Sequence, residues 1–212
     1  MDRAPVRAAI VGIGAIGGLF AAGLARAGWD VSALARGATL DALRGRGLRI
    51  VGESGGETAV ALRASDDAHA LGEQDYVVVA LKAHALPALA SRIAPLVGPR
   101  TIIVAAMNGL PWWFFDGFGG PLDGAALDAV DPGGVTAAAL PPARAIGCVV
   151  HLSSATREPG VVVRGRGNRL IVGAPRCASR ASALPTRSRR AASTSSVRPT
   201  SAPTSGRSSG AT

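Results

Sequence analysis

Apolar and polar residues form two kinds of block along the first 107 positions. Short apolar runs typical of buried strands are followed by stretches in which apolar residues recur every three or four positions, as on one helix face. Strands are predicted over 8–11, 31–35, 48–51, 59–62, 76–81 and 101–107. Helices are predicted over 16–27, over 39–46 with Thr39 as N-cap, and over 86–97 with interruptions at Pro87 and Pro95. This alternation predicts an α/β fold, doubly wound, with a mostly parallel sheet covered on both faces.

The pattern changes after Asn108. Residues 110–145 are rich in Gly and Pro, and three later apolar runs are predicted to add strands to the same sheet. These runs are 145–151, 161–164 and 170–172. Periodicity ends after Pro175, where the chain becomes rich in Arg and Ser and contains no acidic residue. We therefore predict a domain over 1–174 and a low-complexity tail over 175–212, either disordered or the product of a frameshift.

The positive charge belongs to that tail. The chain has 23 basic and 14 acidic residues, a formal charge of +9. Without the seven Arg of 176–212 the balance is 16 to 14, or +2, which does not favour nucleic-acid binding. The uncharged stretch 8–25 contains five glycines, which argues against a membrane span or an export signal. A cytoplasmic protein with neither nucleic acid nor membrane as a partner is the expectation, and two cysteines exclude a disulfide-rich scaffold.

A GxGxxG motif joins the first predicted strand to the first predicted helix. In this context the first glycine permits a tight turn, the second admits a pyrophosphate, and the third allows the helix to pack closely. The helix N-terminus adds free N–H groups and a partial positive charge. The alternative is a glycine-rich turn with a structural role only. We predict that a dinucleotide cofactor contacts Gly12, Ile13, Gly14, Ala15, Ile16 and Gly17.

The residue at the end of the second strand distinguishes between the two nicotinamide cofactors. An acidic residue there holds the ribose of NAD, whereas an arginine accommodates the 2′-phosphate of NADP. Asp30 stands at the start of this strand and Arg36 at its end. NADP(H) is therefore the predicted cofactor, and the alternative for Arg36 is a solvated loop position.

Two polar residues follow the next two buried strands. Lys82 comes after 76–81 and Asn108 after 101–107, at the sheet edge where ligands of open α/β sheets bind. A lysine offers charge to a phosphate or a developing alkoxide, and an amide can hold a carbonyl or carboxamide. The structural alternatives are a solvated strand end for Lys82 and a turn former before Gly109 for Asn108.

Other chemistry-bearing residues give weaker patterns. Trp112, Trp113, Phe114 and Phe115 form either a lid or domain wall, or a packed extension of the core. No metal site is predicted, because the three histidines lack ligand spacing, and Cys148 is expected to be an inert buried thiol.

Four short motifs, in order, resemble the ketopantoate reductases (2-dehydropantoate 2-reductases). They are GIGAIGG at 12–18, LARG at 34–37, LKAH at 81–84 and MNG at 107–109. The resemblance covers residues 5–174 and implies a Rossmann-type domain that binds NADPH and reduces 2-dehydropantoate, a small 2-keto acid, to (R)-pantoate on the way to pantothenate and coenzyme A. It also implies that Lys82 lies on the cofactor side and Asn108 near nicotinamide and substrate. Whether the protein forms a homodimer is left open.

The chain departs from this family at its C-terminal end. The resemblance implies a helical second domain that carries the catalytic lysine, yet Lys82 is the only lysine here. We therefore assign no catalytic residue and expect a truncated chain. Residues 192–196 and 204–212 can be encoded by bases that in another frame give peptides resembling that missing domain, including a lysine followed by an asparagine. The alternatives are a non-catalytic NADP-binding remnant and a reductase of another 2-keto acid.

Overall fold

A computed structural model describes residues 4–174, which form two sheets and five short α-helices. The strands are β1 (Arg7–Val11), β2 (Asp30–Leu34), β3 (Leu48–Val51), β4 (Glu57–Val60), β5 (Arg63–Ser65), β6 (Gln74–Val79), β7 (Val97–Ala106), β8 (Ala145–His151), β9 (Ser154–Glu158), β10 (Val161–Arg164) and β11 (Arg169–Gly173). The helices are α1 (Ala15–Arg26), α2 (Gly37–Arg46), α3 (Ala68–Leu71), α4 (Ala90–Ile93) and α5 (Val135–Ala139).

The larger sheet has seven strands in the order β11–β8–β7–β6–β1–β2–β5. All neighbours are parallel except β11 and β8, so the predicted mostly parallel, Rossmann-type fold is confirmed. The chain leaves β1 toward β2 and β5, and then returns to the other side of β1 as β6, β7 and β8. The winding therefore reverses between β1 and β6, which is where open α/β sheets bind ligands.

The central strands of this sheet are buried on both faces, and successive residues of a strand point to opposite sides. Ala9 and Val11 of β1 pack with residues of α3 and α4, whereas Ile10 packs with residues of α1 and α2. Apolar runs without alternation, as in β1 and β6, are the sequence pattern that such two-sided burial produces.

The smaller sheet was not predicted. Its order is β4–β3–β10–β9, with β10 parallel to β3 and antiparallel to β9. The prediction that 161–164 joins the main sheet is therefore wrong, although β8 and β11 do join it. A four-residue apolar run is compatible with a place in either sheet, because its pairing partner is a strand distant in sequence. Here β10 lies over α1, and that helix separates the two sheets.

Several element boundaries also differ from the predictions. Helix α2 begins at Gly37 with Arg36 as its N-cap, so Thr39 lies inside the helix. The helix predicted over 86–97 shortens to Ala90–Ile93 and a following 3₁₀ turn, because Pro87 and Pro95 lack the N–H that a continuous helix needs at each position. The hairpin predicted over 48–62 is present, with its return strand at Glu57–Val60. Strands β5 and β9 had no apolar run to predict them.

No helix within residues 4–174 has the length and hydropathy needed to cross a bilayer, since the longest, α1, has 12 residues. The predictions for the tail over 175–212 lie outside the described residues.

Candidate cofactor site

The carboxyl ends of four adjacent strands bring the predicted site residues to one edge of the larger sheet. The GxGxxG turn follows β1, Arg36 follows β2, Lys82 follows β6, and Asn108 follows β7. Because the four strands are parallel neighbours, their carboxyl ends lie side by side. The structure thus collects all nine predicted site residues at the edge where the winding reverses.

Gly12 and Gly17 are required by the shape of the turn. Gly12 has a φ of +92°, and a Cβ there would lie 2.8 Å from Leu81 Cδ2 and 2.9 Å from the carbonyl oxygen of Ala80. A Cβ on Gly17 would overlap the carbonyl oxygen of Gly12 and lie 3.2 Å from Ala80 Cβ. Neither position has room for a side chain, so both glycines serve the close approach of turn, helix and strand.

Gly14 differs from its neighbours because the space beside it is open. It is the N-cap of α1 with φ −99° and ψ −157°, which any residue can adopt, and no atom lies within 4 Å of the place a Cβ would take. The first turn of α1 contains no acidic residue. The N–H groups of the first helical turn lack intrahelical partners, and together with this open space they fit the pyrophosphate of a dinucleotide.

Two basic residues lie at the same sheet edge as this space. Arg36 caps α2 and Lys82 precedes a 3₁₀ turn, and both residues are exposed. The ion pairs found within residues 4–174 all involve Arg49, with Glu57 and Glu158 as its partners. Arg36 and Lys82 have no carboxylate partner in the described part of the chain, so both cations are free to meet an anionic ligand.

Asn108 has a structural role that the sequence did not indicate. Its Nδ2 donates to the carbonyl oxygen of Val150 at 2.9 Å, and the Val150 N–H donates to its Oδ1 at 2.8 Å. Backbone pairing of β7 with β8 ends at Ala106 and Cys148, so this side chain continues the ladder by one step. One N–H and one oxygen lone pair of the amide remain for a ligand.

The aromatic segment was interpreted either as a lid or domain wall or as a packed extension of the core, and its residues divide between the two. Trp112 and Trp113 are each 6% exposed, and the Trp112 Nε1–H donates to the carbonyl oxygen of Leu140 at 3.0 Å. Phe114 and Phe118 are 39% and 55% exposed. The tryptophans extend the core, and the phenylalanines leave an apolar surface beside it.

Cys148 is buried in β8, as expected for an inert thiol. Burial raises its pKa to about 11, so the thiol stays protonated near neutral pH and is a poor nucleophile.

Together these features define the class of protein: a Rossmann-type domain with a dinucleotide-binding turn. Residues 8–111 match the family model described as Ketopantoate reductase PanE/ApbA. The domain belongs to the ketopantoate reductase family, which confirms the resemblance seen in the sequence.

Known relatives agree with this assignment. A 2-dehydropantoate 2-reductase of Mesorhizobium japonicum is 48% identical over 167 residues, which are 78% of this chain and 51% of that protein. The crystal structure of a candidate ketopantoate reductase from Ralstonia solanacearum has a TM-score of 0.76 at 52% identity, over 84% of this chain and 57% of that one. A 2-dehydropantoate 2-reductase from Geobacter metallireducens has a TM-score of 0.64 at 31% identity, over 81% of this chain and 50% of that one. The chain thus spans about half the length of these relatives.

Proposed function

We propose that this chain is the cofactor-binding part of an NADPH-dependent reductase of 2-dehydropantoate, with (R)-pantoate as product. The observation that carries the proposal is the GxGxxG turn with open space at Gly14 and an unpaired Arg36 at the end of the next strand. The 48% identity to a protein named 2-dehydropantoate 2-reductase supports the choice of substrate. The domain is assigned to 1–174, and 175–212 to a low-complexity tail.

The described residues would bind and orient the cofactor. The N-terminal N–H groups of α1 would hold the pyrophosphate, and Arg36 at the start of α2 would hold the 2′-phosphate. Lys82 would add positive charge on the same edge, and the remaining N–H of Asn108 would donate to a carbonyl of cofactor or substrate. When bound, the reduced nicotinamide supplies the hydride for reduction of a ketone.

Ketone reduction also requires a proton donor at the developing alkoxide. We assign no residue of 4–174 to that task, because Lys82 is the only lysine and is placed on the cofactor side. We therefore expect the purified 212-residue chain to bind NADPH without appreciable reduction of 2-dehydropantoate. The measurement is NADPH oxidation followed by absorbance, with the full-length relative from Mesorhizobium japonicum as positive control. Oxidation that depends on added 2-dehydropantoate would contradict this expectation.

The substitution Arg36→Ala tests the cofactor preference. Loss of a charge-assisted contact with the 2′-phosphate is expected to weaken NADPH binding about tenfold to thirtyfold, while NADH binding changes less than about twofold. Isothermal titration calorimetry with both cofactors measures the two effects. Arg46→Ala, in the last turn of the same helix, is the matched control and should change neither affinity. Equal losses for NADPH and NADH would reject the assignment of Arg36.

A further inference from the structure

The smaller sheet brings another arginine to the cofactor edge. Strand β9 begins at Ser154, three residues after the carboxyl end of β8, and strand β10 ends at Arg164. In the antiparallel pairing of β9 with β10, Arg164 lies directly opposite Ser154. The end of β10 therefore lies at the same end of the molecule as the GxGxxG turn.

Two independent contacts show which face of β10 carries the Arg164 side chain. The Oγ of Ser154 lies 3.2 Å from the carbonyl oxygen of Ala15, the first residue of α1, and residues directly opposite in an antiparallel pair share a face. Val162 packs on α1 as well, since its Cγ2 is the nearest atom to the Cβ position of Gly18. Because side chains two apart share a face, Arg164 and Val162 point the same way. Both contacts place Arg164 on the face toward the first turn of α1.

The charge at this position is not neutralised by the described part of the protein. Arg164 is only partly exposed, and within residues 4–174 no carboxylate forms an ion pair with it. The first turn of α1 contributes no acidic residue either, and its free N–H groups carry a partial positive charge of their own. A half-buried cation beside a helix N-terminus favours an anion between them.

We propose that Arg164 contacts the pyrophosphate of the bound dinucleotide. This inference rests on the proposed function and adds a cofactor-binding residue from the smaller sheet. Arg36 lies at the end of β2, on the ribose side, whereas Arg164 lies over the start of α1. The two arginines therefore have separable roles: Arg164 sets the affinity for either nicotinamide cofactor, and Arg36 sets the preference for NADPH.

The test measures NADPH and NADH affinities of the 212-residue chain by calorimetry. Arg164→Ala is expected to weaken both cofactors by the same factor, about tenfold to a hundredfold. Arg164→Lys keeps the charge without the planar fork and is expected to recover part of that loss. Arg157→Ala, an exposed position nearer the other end of the hairpin, removes the same charge and should change either affinity by less than about twofold. Thermal unfolding of each variant confirms that it is folded.

The outcomes separate this inference from the proposed function. If the parent chain binds neither cofactor, the proposed function fails and the Arg164 contact fails with it. If the parent binds NADPH and Arg164→Ala binds it equally well, only the Arg164 contact is rejected. A loss confined to NADPH would also reject it, because it would place Arg164 on the 2′-phosphate. An equal loss of affinity for Arg157→Ala would show that the effect comes from the net charge of the domain and not from a contact, and it would overturn the proposal.

Discussion

Gly14→Ala is expected to weaken NADPH binding by about 100-fold or more while the domain stays folded. The added methyl group has free space in the protein, since no atom lies within 4 Å of its position, but it occupies the space assigned to the pyrophosphate. Two small effects on stability oppose each other: alanine is a poorer N-cap than glycine, and it reduces the entropy of the unfolded chain. The free energy of unfolding should therefore change by less than about 1 kcal/mol.

The binding loss is measured by calorimetry, and the free energy of unfolding by urea denaturation followed by tryptophan fluorescence. Gly23→Ala is the matched control, because Gly23 lies in the same helix and also has no neighbour within 4 Å. That control should bind NADPH like the parent. Retention of parental affinity by Gly14→Ala would show that the space above α1 is not the phosphate site.

The largest loss of stability is expected from Gly18→Val. This glycine faces the smaller sheet, where a Cβ would lie 2.7 Å from Val162 Cγ2 and 3.4 Å from Leu48 Cδ1. Both neighbours are buried, at 1% and 0% exposure, so they cannot move into solvent. Forcing three carbon atoms into this contact is expected to lower the free energy of unfolding by about 3 kcal/mol.

Gly23→Val is the control for Gly18→Val, since it adds the same atoms to the same helix at an exposed position. Its free energy of unfolding should stay within about 0.5 kcal/mol of the parent, because valine and glycine differ little in helix propensity. Urea denaturation of the two variants, compared with the parent, measures both effects. Similar stabilities for the two variants would contradict the packing of α1 between the two sheets.

The consecutive glycines 17 and 18 explain why this helix can lie between two sheets. Gly17 meets the turn and Ala80 on the side of the larger sheet, and Gly18 meets Val162 and Leu48 on the side of the smaller one. Only the first contact was predicted from GxGxxG. Gly18 was the one feature of the sequence that could have indicated a second close contact of this helix. The sequence does not show that the contact is with the smaller sheet.

The local pattern determined much of the fold and most of the candidate site. Apolar runs predicted β1, β2, β3 and β8 to within one residue at each end and β6 to within two, because buried strands leave a direct imprint on composition. The GxGxxG motif and Arg36 could also be found from the sequence, because the requirements of a tight turn and of a strand end act within a few residues.

Tertiary structure alone decided the features that depend on pairing between distant segments. Strand β10 pairs with β3, whose partner residues lie 112 positions earlier in the chain, and does not join the larger sheet that contains β8 and β11. Asn108 bonded to the backbone of Val150, and Ser154 to that of Ala15 across 139 positions. These pairings fix Arg164 beside the start of α1. A sequence pattern records whether a residue is buried and how its neighbours repeat, but sheet partners are selected by the packing of the whole domain.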